Sequence, residues 1–183
     1  MSSWQTHASS TVYENPWIRV REDRVTRPDG DDGVYGVVEV RHPAVFVVPI
    51  TADGEVLLIQ QFRYTIGRES LEIPAGGTDG EEPLIAARRE LLEETGHTAS
   101  SWRELGPTYS LNGVSDAPGT IVLAQHVIPV EDASTHGQTE EGITQVRAAP
   151  WPEVLELVRR GEIHDGETMA ALLHAAVALG RLG

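Results

Sequence analysis

Strands that interleave with helices predict an α/β layered domain for this 183-residue chain. Four stretches carry that expectation. AVFVVPI (44–50) is a nearly continuous apolar run, of the length expected for a strand buried on both faces. Residues 81–95 contain no glycine and place their only proline, Pro83, in the first turn, where a helix tolerates it; Gly96 then supplies a stop. Two further helices, at residues 151–160 and 167–179, close the chain around the turn GEIHDG.

The remaining elements follow in order. Residues 1–10 are polar and expected to fray. Residues 12–25 and 34–40 read as two strands joined by RPDGDDG, whose Pro, Asp and Gly cluster is a turn signal. TADG (51–54) turns the chain into EVLLIQQ (55–61), completing a hairpin with the apolar run. SLEIPAGG (70–77) is a short strand ending in a glycine turn. Within 81–95, Leu84, Ala87, Leu91 and Leu92 form an apolar stripe at helical spacing. Strands are expected at 102–109, 119–128 and 143–148. Between the last two, EDASTHGQTEEG (131–142) is a long polar loop of the kind that often carries function.

Composition narrows the chemistry. Hydrophobic residues make up 40% of the chain, as in globular domains, and no apolar run approaches the ~20 residues of a membrane span. The N-terminus lacks a basic segment followed by an apolar one, so no secretory signal is read and a cytoplasmic location is expected. Cysteine is absent, which excludes disulfides, thiolate metal sites and a cysteine nucleophile. All 14 basic residues are arginine, so neither a Schiff-base lysine nor a P-loop lysine is available. The net charge of −14 argues against nucleic acid as a partner.

The helix at 81–95 carries the chemistry. Glu90, Glu93 and Glu94 stand at i, i+3 and i+4, so three carboxylates share one side, where like charges repel. Arg88 and Arg89 offset part of that repulsion. Oxygen donors of this kind suit hard divalent cations, and the glycine-rich turn PAGGTDG just before the helix lets backbone approach a metal or phosphate closely.

The same stretch resembles the Nudix box, G-x5-E-x7-R-E-U-x-E-E-x-G-U with U aliphatic. Glu81, Arg89, Glu90, Leu91, Glu93, Glu94 and Gly96 match it. Only four residues separate Gly76 from Glu81, and His97 stands at the last aliphatic position. QQFRYTIGRESLEIPAGG (60–77), VYENPWIRV (12–20) and residues 151–175 resemble the ADP-ribose pyrophosphatase branch of that family, so the likeness spans 12–179. It implies an α/β/α sandwich with a mixed sheet over residues 43–183. An N-terminal antiparallel β arm, residues 1–42, would precede it and help form a homodimer.

The resemblance also implies roles. Glu90 and Glu94 would bind Mg2+, with Mn2+ as the alternative ion, Glu93 would share the site, and the Ala75 carbonyl would complete it. Glu81 and Arg89 would form a structural ion pair. Arg63 is the candidate phosphate contact, its alternative being an ion pair at a domain or dimer surface. Glu72 would bind metal indirectly or hydrogen-bond the loop. The branch's general base is often a loop carboxylate before the last strand; Glu140 and Glu141 occupy that place, joining Glu93 as catalytic candidates. SLNGVSDA (110–117) resembles the branch's S-P-G-x-S-D-E segment but has Asn112 and Ala117 at the Pro and Glu positions. The implied function is cleavage of a nucleoside diphosphate sugar, foremost ADP-ribose, to AMP and ribose 5-phosphate. The alternatives are another diphosphate such as GDP-mannose or a dinucleotide, or a catalytically silent binding protein with the same fold.

Overall fold

The computed structural model describes residues 3–134 and 136–181. In chain order the strands of the first half are β1 (Gln5–Glu14), β2 (Ile18–Thr26), β3 (Asp32–Val40), β4 (Ala44–Thr51), β5 (Val56–Arg63), β6 (Arg68–Glu72) and β7 (Ala75–Gly77). Helix α1 (Pro83–Thr95) is followed by β8 (His97–Tyr109), β9 (Ser115–Asp116) and β10 (Pro118–Pro129). The chain ends with α2 (His136–Glu140), β11 (Ile143–Ala149), α3 (Trp151–Arg159) and α4 (Gly166–Leu179). These elements form two compact units, one running through Pro43 and including Tyr109–Pro118, the other made of Ala44–Thr108 and Gly119 onward.

The first unit is a sheet in the order β1-β2-β3-β9. Instead of fraying, residues 5–10 lie in β1, whose ladder pairs Gln5 with Thr26 and Glu14 with Arg19. Nor do residues 12–25 form one strand. The Asn15 side chain accepts from the amides of Trp17 (2.9 Å) and Ile18 (2.8 Å), an Asx turn that folds β1 back on β2. The SLNGVSDA segment supplies β9, which pairs in parallel with β3 at Val38 and Glu39.

The second unit is a mixed sheet in the order β11-β5-β4-β10-β8, with β6 on β5 and β7 on β4. Strand β4 lies between parallel β10 and antiparallel β5 and β7, which is why its side chains are apolar on both faces. On one face Val45, Val47, Leu57, Val122 and Ala124 pack under Ala86, Ala87 and Leu91 of α1. On the other, Val48, Ile50, Leu58, Ile121 and Leu123 pack under Trp151, Val154 and Leu157 of α3 and Leu172 and Ala175 of α4. The result is an α/β/α sandwich. The buried stripe of α1 uses Ala86 rather than Leu92, which is exposed. Gly96 closes α1 at φ +71°, a left-handed conformation glycine adopts without strain, and its N–H bonds the Leu92 carbonyl. Among the described residues no helix is long and apolar enough to cross a membrane.

Candidate active site

Two contacts seat α1 against β7. The Glu94 carboxylate accepts the Ala75 N–H at 2.9 Å, and the Glu90 carboxylate lies so close to Gly76 that a Cβ there would overlap it. Both glutamates are buried, at 8% and 3% exposure. Burial raises the Glu90 carboxyl above its usual range, with the Arg89 charge opposing. Burial also pushes Glu94 up to about 9, against the Ala75 hydrogen bond and with help from the negative charges of Glu90 and Glu141. The third glutamate, Glu93, is half exposed.

Arg89 is the hub of the loop before the helix. Its Nε donates to Glu81 at 2.9 Å and its Nη2 to the Gly77 carbonyl at 2.8 Å. Its Nη1 reaches both Glu90 (2.7 Å) and Glu93 (3.2 Å). One guanidinium thus braces the loop and neutralises part of the acidic face. Arg88 takes no part; it lies 5.5 Å above the Trp102 ring. With Glu90 and Glu93 drawn toward Arg89, no group of three acidic or imidazole side chains among the described residues is arranged around a common ion position.

The polar loop folds over the same helix. Val130 donates to the Gly96 carbonyl at 2.9 Å, and Gly137 of α2 packs against the Glu93 backbone. Glu140 and Glu141 thereby line a cavity of about 440 Å³ together with Glu90, Glu93 and Glu94. Glu140 lies 3.8 Å from His136 across a turn of α2. Of the two loop glutamates, Glu141 is the one whose charge bears on buried Glu90 and Glu94.

Ala75 also borders a second cavity, of about 390 Å³, with Arg63, Ser70, Glu72, Asp165 and Thr168. Glu72 is buried and receives Arg63 Nε at 3.0 Å, with Nη2 on its other oxygen. That hydrogen bond, countered by burial, raises the Arg63 pKa, so the guanidinium is charged throughout the accessible range. Asp165 caps α4 by accepting the Thr168 N–H at 2.7 Å. Burial raises the Asp165 carboxyl, and the cap opposes that rise. The Asp-x-x-Thr spacing was a readable cap signal for these two lining residues. Nothing in the sequence marks Ser70, whose buried hydroxyl has no partner among the described residues.

Comparison with known proteins bears on the family and the fold. Residues 40–172 match the NUDIX domain model, and residues 4–38 match that of a nucleoside diphosphate sugar hydrolase N-terminal domain. An ADP-ribose pyrophosphatase of Bacillus subtilis is 31% identical over 92% of this chain and 90% of its own. One of Mycobacterium tuberculosis is 33% identical over 93% and 82%. A GDP-mannose pyrophosphatase of Salmonella typhimurium is 34% identical over 64% of each chain. The crystal structure of an ADP compounds hydrolase, 22% identical, superposes with a TM-score of 0.84 over 100% of this chain and 98% of that one, which supports the fold. The chain belongs to the NUDIX family.

Proposed function

We propose that this NUDIX pyrophosphohydrolase cleaves the diphosphate of a nucleoside diphosphate sugar, ADP-ribose foremost, to AMP and ribose 5-phosphate. One observation carries the reading: Glu90 and Glu94 are buried side by side on α1, where burial raises both carboxyls in spite of the Arg89 ion pair and the Ala75 hydrogen bond, and a cavity opens on them. Two ADP-ribose pyrophosphatases, each matched over more than 80% of its length, support the choice of substrate.

The donor chemistry fits a hard divalent cation, Mg2+ or Mn2+. Glu90, Glu93 and Glu94 would hold it with the Ala75 carbonyl, Glu90 and Glu93 turning away from Arg89 to do so. Bound there, the cation would offset charge on the phosphate oxygens. The protein's own groups do the rest. Arg63, fixed by Glu72 through Nε and Nη2, offers Nη1 to a phosphate oxygen. Glu141 takes the proton of the attacking water at a carboxylate oxygen, while Glu140 stays with His136. Water adds to one phosphorus, the bridging oxygen leaves with the other phosphate, and two monophosphates result. Arg89 keeps the loop 77–81 against α1 through Glu81 and Gly77 and so holds the acidic face in place.

GDP-mannose is the second reading, favoured by the Salmonella typhimurium relative. The residues preceding Pro43 form a dimerisation arm in this account. Val12, Tyr13 and Trp17 are 60%, 55% and 74% exposed on it, apolar surface that a second copy would cover. The protein acts in the cytoplasm. The deciding experiment is hydrolysis of ADP-ribose, GDP-mannose and a dinucleoside diphosphate with Mg2+. ADP-ribose is expected to react fastest; GDP-mannose reacting at least tenfold faster would replace it.

A further inference from the structure

Gly137 stands where the structure needs the absence of a side chain. Its backbone φ lies outside the left-handed region, so conformation does not call for glycine there. Space does. A Cβ on Gly137 would come 2.9 Å from the Glu93 carbonyl oxygen and 3.1 Å from the Glu93 Cβ. Both distances are tighter than ordinary packing allows, and the first is against main chain that cannot rotate aside.

Of the two partners in that contact, α2 is the one that must yield. Helix α1 is 13 residues long and packs its buried stripe on the sheet. Helix α2 has five residues and buries none of them. The rest of the loop is already anchored at its start, where Val130 bonds the Gly96 carbonyl and Ala133 lies against Gly96. From Gly137 onward one link leads directly to the acidic loop tip: the Glu141 N–H donates to the Gly137 carbonyl at 2.9 Å. The chain of contacts therefore runs from the Glu93 backbone through Gly137 to Glu141.

We propose that Gly137 is a positioning residue, its missing side chain setting how closely Glu141 approaches the carboxylates of α1. The inference rests on Glu141 acting as the proton acceptor, and it adds a second residue whose identity is dictated by that role. Alanine favours a helix over glycine, so a loss of activity in Gly137→Ala cannot come from weakened helix propensity. It would come from the displaced contact.

The test compares wild type, Gly137→Ala, Gly137→Val, Glu141→Gln and the double variant Gly137→Ala/Glu141→Gln, with ADP-ribose and Mg2+. Thermal unfolding and Mn2+ titration calorimetry accompany the kinetics. The expected result is a graded fall in kcat, about tenfold for alanine and larger for valine, with KM, Mn2+ affinity and Tm little changed. The double variant is expected to be no slower than Glu141→Gln alone, because both changes act through one group. Full activity in Gly137→Val, or losses that multiply in the double variant while Glu141→Gln is itself slow, would overturn the positioning role and leave the base assignment standing. Wild-type activity in Glu141→Gln would overturn both. Loss of Mn2+ affinity in Gly137→Ala would show that α1 rather than α2 had moved, which also overturns it.

Discussion

Glu94→Gln separates stability from function at a single atom pair. The carboxyl of Glu94 has a pKa near 9 in the folded protein and 4.5 as a free side chain. The folded state therefore binds its proton more tightly than the unfolded state does. Stability from this group is complete below pH 4.5 and drains away as pH rises through the window up to about 9. Each pH unit in that window costs about 1.4 kcal/mol, which puts the burden at roughly 3 kcal/mol at pH 7. Glutamine has nearly the same shape, stays neutral, and still offers an oxygen to the Ala75 N–H. Metal-free Glu94→Gln should accordingly be more stable than metal-free wild type at pH 7, by roughly 6–12 °C in Tm for a domain of this size. The advantage should shrink toward pH 5. Thermal unfolding in chelator across pH 5 to 8.5 measures it. Adding Mg2+ should then raise the wild-type Tm more than that of the variant, since only a state that binds the ion gains from it. A stability difference independent of pH, or a wild type that is the more stable of the two in chelator at pH 8, would refute the buried-carboxylate reasoning.

Two other outcomes follow from packing and exposed surface. Gly76→Ala should force the Glu90 carboxylate aside, because the new Cβ occupies its position; steady-state kinetics should show a fall in kcat on the order of 100-fold in a protein that still folds cooperatively. Light scattering should find twice the chain mass of 19.9 kDa, and Trp17→Glu should shift it toward a monomer; a wild-type monomer would remove the dimerisation arm from the account.

Much of this architecture is legible in the sequence, for reasons that differ by element. Strand β4 is readable because a strand covered by α1 on one side and α3 and α4 on the other has no polar face to disguise it. Helix α1 is readable from its proline at the first turn, its glycine stop and its apolar spacing, although that spacing cannot tell buried Ala86 from exposed Leu92. The carboxylates of α1 follow from periodicity alone. Which arginine serves them does not: Arg88 and Arg89 are adjacent, and only the position of Trp102 and of the loop carbonyl at Gly77 sends one away and the other inward. Strand β1 is exposed at every residue and mostly polar over 5–11, so its pairing with β2 leaves little apolar trace there. The contact of Gly137 with Glu93 joins residues 44 positions apart and has no local signature.

The central claim is that the acidic face of α1 drives hydrolysis of a nucleoside diphosphate sugar. A phosphatase-coupled assay of product release from ADP-ribose with Mg2+, comparing wild type and Glu94→Gln, tests it most directly. Wild type is expected to release AMP and ribose 5-phosphate in a metal-dependent reaction, and the variant to be slower by a factor on the order of 100 or more. Equal rates in the two proteins, or no reaction by wild type on ADP-ribose, GDP-mannose or a dinucleoside diphosphate, would contradict it.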